Sequence, residues 1–124
     1  MSDRILQDVE RLKQDFPKVT VAERSDGSVA VLVEEIPLPS WWEPRTCRVL
    51  LMMPPEFPSK QPAFYVSPDI RSKKTGQAPQ GNGNANIDGT SWMTLCWSEK
   101  PWDPQRETLW RFLKHVQRRF HSHD

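Results

Sequence analysis

Cysteine, tyrosine and glycine are scarce in this chain of 124 residues, which holds two, one and five of them. Two cysteines are too few for a disulfide framework or a four-cysteine zinc site, so a reducing cytoplasm is the expected setting. No apolar run approaches the ~20 residues of a membrane-crossing helix. The opening Met1-Ser2-Asp3-Arg4 has no secretory pattern, and Ser2 stands where myristoylation needs glycine. No charge sign dominates: 17 basic and 16 acidic residues leave a net charge of +1. That balance argues against a dedicated nucleic-acid binder. Neither the P-loop nor the Rossmann glycine fingerprint is present, and no cofactor is expected. His121 and His123 lie near the end of the chain with no third ligand at zinc spacing, so no metal site is expected.

Proline and tryptophan are plentiful, at 12 and 6. Proline in excess over glycine points to stiff loops rather than flexible linkers. The length suits one domain over residues 1–124, and no internal repeat divides it. Residues 3–16 read as a helix, because Ile5, Val9, Leu12 and Phe16 make one apolar stripe between an N-cap at Ser2 and a stop at Pro17. Lys18 to Arg24 and Ser28 to Ile36 alternate as strands around Asp26-Gly27, a hairpin signal. Thr46 to Met53 is a third strand, covered on both faces, and Ala63 to Val66 a short fourth. Trp41-Trp42 lies among prolines and reads as a packed loop.

Residues 67–101 show no period and hold four of the five glycines, so they read as one long loop, mobile in its first half and packed in its second. Asp103-Pro104 then reads as the N-cap and first turn of a last helix, with Leu109, Phe112, Leu113, Val116 and Phe120 facing the core. The expected class is α+β: a helix, a four-stranded antiparallel meander, a long loop and a second helix.

Cys96 lies in that loop and has two readings, an accessible nucleophile or a buried space-filler. Cys47 occupies a core-facing strand position and reads as structural. A free-standing cysteine hydrolase needs a histidine base, and only His115, His121 and His123 exist, all late in the chain. The arginines of the last helix read as a solvated face near a helix C-terminus, which favours cations.

In order and motif the chain resembles the ubiquitin-conjugating enzymes. Phe57-Pro58-Ser59-Lys60-Gln61-Pro62 resembles the family's aromatic-Pro-x-x-x-Pro segment. Asn84-Ala85-Asn86-Ile87-Asp88 is similar to its His-Pro-Asn motif, with Asn84 in place of the histidine and Ala85 in place of the proline. Leu95-Cys96 resembles the active-site hydrophobic-Cys, and Trp102-Asp103-Pro104 the Trp-x-Pro before the crossover helix. The eukaryotic enzymes carry two further C-terminal helices, so the likeness is to minimal bacterial members.

The resemblance implies a transferase. An activating enzyme adenylates a ubiquitin-like modifier, Cys96 accepts it as a thioester, and an amine, usually lysine, of a protein target attacks. It implies that Asn86 supports the active-site loop and stabilises the oxyanion, a sound role for an amide donor; its alternative is a turn residue. It assigns Asp103 to orient the incoming lysine, with Asp88 and Glu99 as rivals. The first helix docks the activating enzyme in this family, which makes Arg4, Arg11 and Lys13 the contacts. A metal-dependent deconjugating peptidase often accompanies bacterial members. The rival reading is a catalytically inactive binding module of the same fold.

Overall fold

The computed structural model describes residues 2–96 and 102–122. Helix α1 spans Asp3–Asp15, and the Ser2 hydroxyl accepts from the Ile5 N–H at its start. The strands follow in order: β1 Lys18–Glu23, β2 Val29–Pro37, β3 Trp42–Glu43, β4 Thr46–Met53, β5 Ala63–Val66, β6 Arg71–Ser72, β7 Asn82–Ile87 and β8 Thr90–Leu95. Helix α2, Leu109–Ser122, closes the order. None of the described helices is long and apolar enough to cross a membrane.

Six strands form one sheet in the order β1-β2-β4-β5-β8-β7, every pair antiparallel. β3 and β6 make a separate two-stranded ribbon. The β1–β2 turn rests on Asp26, whose carboxylate accepts from the N–H and hydroxyl of Ser28, and on Gly27 at φ 89°. β2 carries a one-residue bulge between Val33 and Ile36, where Glu35 takes φ 59°.

Both helices cover one face of the sheet. Ile5, Val9 and Leu12 from α1 and Leu109, Leu113, Val116 and Phe120 from α2 join Val31, Val33, Val49, Leu51, Val66 and Met93 in a single core. The adjacent indoles part ways. Trp42 is buried and donates from Nε1 to the Phe120 carbonyl at 2.9 Å, while Trp41 is half-buried and meets the His121 ring edge-on.

Two expectations are corrected. Residues 67–101 are not one aperiodic loop, since they contain the ribbon strand β6 and the β7–β8 hairpin. The hairpin is closed by Asp88-Gly89, both at positive φ (51° and 85°), the geometry of the two-residue turn that matches strand twist. β7 is an edge strand of glycine, alanine and asparagine, so it lacks the apolar alternation that announces a half-buried strand.

The last helix also starts later than Asp103-Pro104. Asp103 closes a separate turn: its carbonyl accepts from Arg106 and Glu107, and its carboxylate from the Gln105 N–H. Thr108 caps α2 instead, its hydroxyl accepting from Arg111 and its carbonyl from Phe112. Buried Asp8 of α1 accepts from the Leu109 N–H at 3.4 Å, placing an anion at the positive end of α2.

Candidate active site

The site is built around Cys96. Cys96 follows β8 directly, and it is exposed. Its backbone N–H donates to the Gly81 carbonyl at 2.9 Å, which extends the β7–β8 register by one pair. Gly81 takes φ 78°, and a Cβ there would lie 3.4 Å from the Cys96 nitrogen and 3.7 Å from its Cβ. Those are ordinary contacts, so what calls for glycine here is the left-handed backbone. The next glycine on the strand is tighter, because a Cβ at Gly83 would lie 2.6 Å from the Thr94 hydroxyl oxygen.

Leu95 anchors the cysteine from the other side. It is buried in the core, and side chains alternate along a strand, so the exposed thiol follows from the buried leucine before it. Cys47 is the opposite case. It is 4% exposed, and burial, with a contribution from the Asp69 charge, pushes its thiol up to about 12. A thiol so raised holds almost no thiolate at neutral pH and is a poor nucleophile.

The asparagines separate by register. Asn86 pairs with Ser91 near the hairpin turn, five positions from Gly81, which is about 17 Å along a strand. Its amide oxygen accepts from the Gly89 N–H at 3.0 Å. The structure therefore does not bring Asn86 to Cys96. Asp88, at the hairpin tip, is equally remote and pairs with Arg24. Asn82 pairs with Leu95, next to Cys96, and its amide donates to the Pro79 carbonyl at 2.9 Å. That bond ties the incoming turn to the cysteine end of the hairpin.

The Arg24–Asp88 pair has a structural meaning of its own. It joins the β1–β2 turn to the β7–β8 turn, although β1 and β7 are opposite edges of the sheet. Six strands laid flat would hold those edges about 24 Å apart, so the sheet curls until its two end hairpins meet. On the face away from the helices the Arg48 guanidinium lies 4.9 Å from the Trp92 ring centre, and Trp92 is buried.

Asp103 lies seven residues beyond Cys96; its carboxylate accepts from the Gln105 N–H, has Arg106 3.7 Å away and stays half-exposed. Glu99 lies outside the described residues. Arg4 is committed internally. It donates to the carbonyls of Pro104 and Glu107, pairs with Asp8 at 3.4 Å, and sits over the Phe57 ring. Arg11 stacks at 4.3 Å on Trp110 and pairs with Asp15, while Lys13 is the most exposed of the three and pairs with Glu10 on its own helix.

Sequence reasoning missed Gly81, Asn82 and Thr94, because it saw no hairpin there. Asp88-Gly89 was the available signal, the same dipeptide that marks the β1–β2 turn.

A helix, an antiparallel sheet and a second helix, with a cysteine exposed at a strand end, make an α+β scaffold of the conjugating-enzyme kind. The family model described as Prokaryotic E2 family E matches residues 6–123. The chain belongs to that family, a prokaryotic branch of the ubiquitin-conjugating-like proteins. No curated protein and no solved structure is detectably similar to it. Family membership supports a ubiquitin-like conjugating transferase in general terms, with an activating enzyme and a ubiquitin-like modifier as the partners.

Proposed function

We propose that the protein carries a ubiquitin-like modifier as a thioester on Cys96 and transfers it to a lysine amine of a target. The observation that carries this reading is the contrast between the two thiols, one exposed at the hairpin end and one buried. In the loading step the Cys96 sulfur attacks the modifier's activated C-terminal carbonyl on the activating enzyme. A new C–S bond forms, the old one breaks, and the enzyme's thiol leaves with the proton that Cys96 gives up. In the second step an amine nitrogen attacks the thioester, the Cys96 C–S bond breaks, and the amine loses its proton to solvent or to an acidic side chain. ATP is consumed on the activating enzyme, so this chain needs no cofactor for either step.

Asn82 holds the Pro79–Gly81 turn against the cysteine and is a positioning residue. Asp103 is the carboxylate that orients the lysine. On α1 the exposed Lys13 and, on a different side of the helix, Arg11 contact the activating enzyme, while Arg4 holds α1 to the turn before α2. A bacterial cytoplasm and a deconjugating metallopeptidase in the same pathway belong to this reading.

The test is a two-stage assay. The protein is charged with its cognate activating enzyme, modifier and ATP, and the product is chased with free lysine. The expected course is an adduct on wild type and on Cys47→Ala, absent on Cys96→Ala, that decays as lysyl-modifier appears. An activating enzyme that charges itself but never this protein would support the binding-module reading instead.

A further inference from the structure

The outer side of α2 carries a groove of about 490 Å³ that the thioester chemistry does not use. Its walls include Trp102, Trp110, Lys114, His115, Gln117 and Arg118. The two indoles are held in place. Trp102 donates to the Pro58 carbonyl at 2.7 Å, and Trp110 to the Asp15 carboxylate at 2.5 Å while Arg11 stacks on its ring. Rigid aromatic walls of this kind lose little entropy when a partner binds.

The charge is one-sided. α2 contains Arg111, Lys114, Arg118 and Arg119 and no Asp or Glu. Glu107 is the one carboxylate lining the groove among the described residues, and it pairs with Arg111 at 3.8 Å. Lys114 and Arg118 stand four residues apart, a like-charge spacing that disfavours a helix. Among the described residues no carboxylate lies within ion-pair distance of either, although Lys114 sits 5.5 Å from the Phe16 and Trp110 ring centres and its charge reaches Asp15. Gln117 adds a buried amide oxygen with no hydrogen-bond partner among the described residues. A buried acceptor left unsatisfied is costly, and an incoming N–H donor removes that cost.

We propose that this groove docks an acidic segment of a partner protein bearing an aromatic or aliphatic side chain. Carboxylates of the segment meet Lys114 and Arg118, its apolar side chain enters between the indoles, and a backbone N–H donates to Gln117. A groove of this volume fits one or two side chains. Nucleic acid is the weaker match, because the chain as a whole carries a net charge of only +1. The proposal is independent of Cys96 and of any transfer activity.

The probe is fluorescein-labelled Glu-Glu-Trp-Glu-Glu, titrated against the whole chain by fluorescence anisotropy at low salt. Glu-Glu-Gly-Glu-Glu, Lys-Lys-Trp-Lys-Lys and a twelve-nucleotide single-stranded DNA serve as comparisons. The acidic tryptophan peptide is expected to saturate below about 1 mM, ahead of all three. Arg118→Glu and Lys114→Glu, each checked for native far-UV dichroism, are expected to weaken it by about tenfold, and Lys18→Glu on β1 to leave it unchanged. Absence of saturation overturns the proposal. So does binding that both reversals leave intact, or oligonucleotide binding stronger than peptide binding.

Discussion

Cys96 and Gly81 face each other across the open end of the β7–β8 hairpin, joined by a 2.9 Å hydrogen bond from the cysteine N–H to the glycine carbonyl. The pair fixes the backbone that presents the thiol, and Gly81 supplies the positive φ that the pairing uses. Gly81→Ala is expected to cost about 1–2 kcal/mol in stability. It should also alter the rate at which a maleimide modifies Cys96, because relief of the left-handed strain shifts the carbonyl that holds the Cys96 N–H. Denaturant melts and maleimide kinetics on the variant check both, and unchanged kinetics would remove Gly81 from the site.

The two thiols should differ in the folded state. Iodoacetamide at neutral pH is expected to add one equivalent to the native protein, at Cys96, and two in denaturant. Peptide mapping identifies the site. Replacing Cys96 with Ser should change stability by less than about 0.5 kcal/mol, as for an exposed position. Cys47→Ser should destabilise by about 1–3 kcal/mol, because it puts a hydroxyl into the core. Both values are read from urea denaturation.

The asparagines should divide as the register divides them. Asn86→Ala removes the acceptor for the Gly89 N–H and is expected to cost up to about 1 kcal/mol, with no effect on the rate at which a loaded thioester discharges to lysine. Asn82→Ala frees the Pro79 carbonyl and is expected to slow that discharge while leaving far-UV dichroism unchanged. Rescue by Asn82→Gln would reflect its longer reach for the same bond. Single-turnover discharge kinetics on both variants separate the two roles.

Asp8 links the helices and should make stability depend on pH. Burial raises its carboxyl above the ordinary 3.8, against the opposing pull of Arg4 and the Leu109 N–H. A raised carboxyl binds a proton more tightly in the folded state, so the ionised form disfavours folding. Wild type should therefore lose stability relative to Asp8→Asn as pH rises from 3.8 through the raised value, and hold a constant difference above it. Urea melts from pH 3.5 to 7 measure this. A wild type that gains on the variant over that range would show that the Arg4 pairing outweighs burial.

The elements that bury a regular stripe were legible in the sequence: α1 from Ile5, Val9 and Leu12, and β2 and β4 from their alternating valines and leucines. The β7–β8 hairpin was hidden for a physical reason. An edge strand made of Asn-Gly-Asn-Ala-Asn is held by backbone bonds and a turn, and neither leaves a hydrophobic period. The same cause hid where the register places the asparagines. Motif likeness pointed to Asn86, but pairing through Asp88-Gly89 sends that residue to the far turn and leaves Asn82 beside Leu95. The later start of α2 rests on Thr108, a cap that competed in the sequence with the stronger-looking Asp103-Pro104.

The most direct measurement is the intact mass of the protein after incubation with ATP, its activating enzyme and its modifier, with and without reductant. Wild type should gain the mass of one modifier less one water, lose it on adding reductant, and show no gain in Cys96→Ala. A wild type that stays unmodified beside a self-charged activating enzyme, or an adduct that survives in Cys96→Ala, would contradict the carrier role.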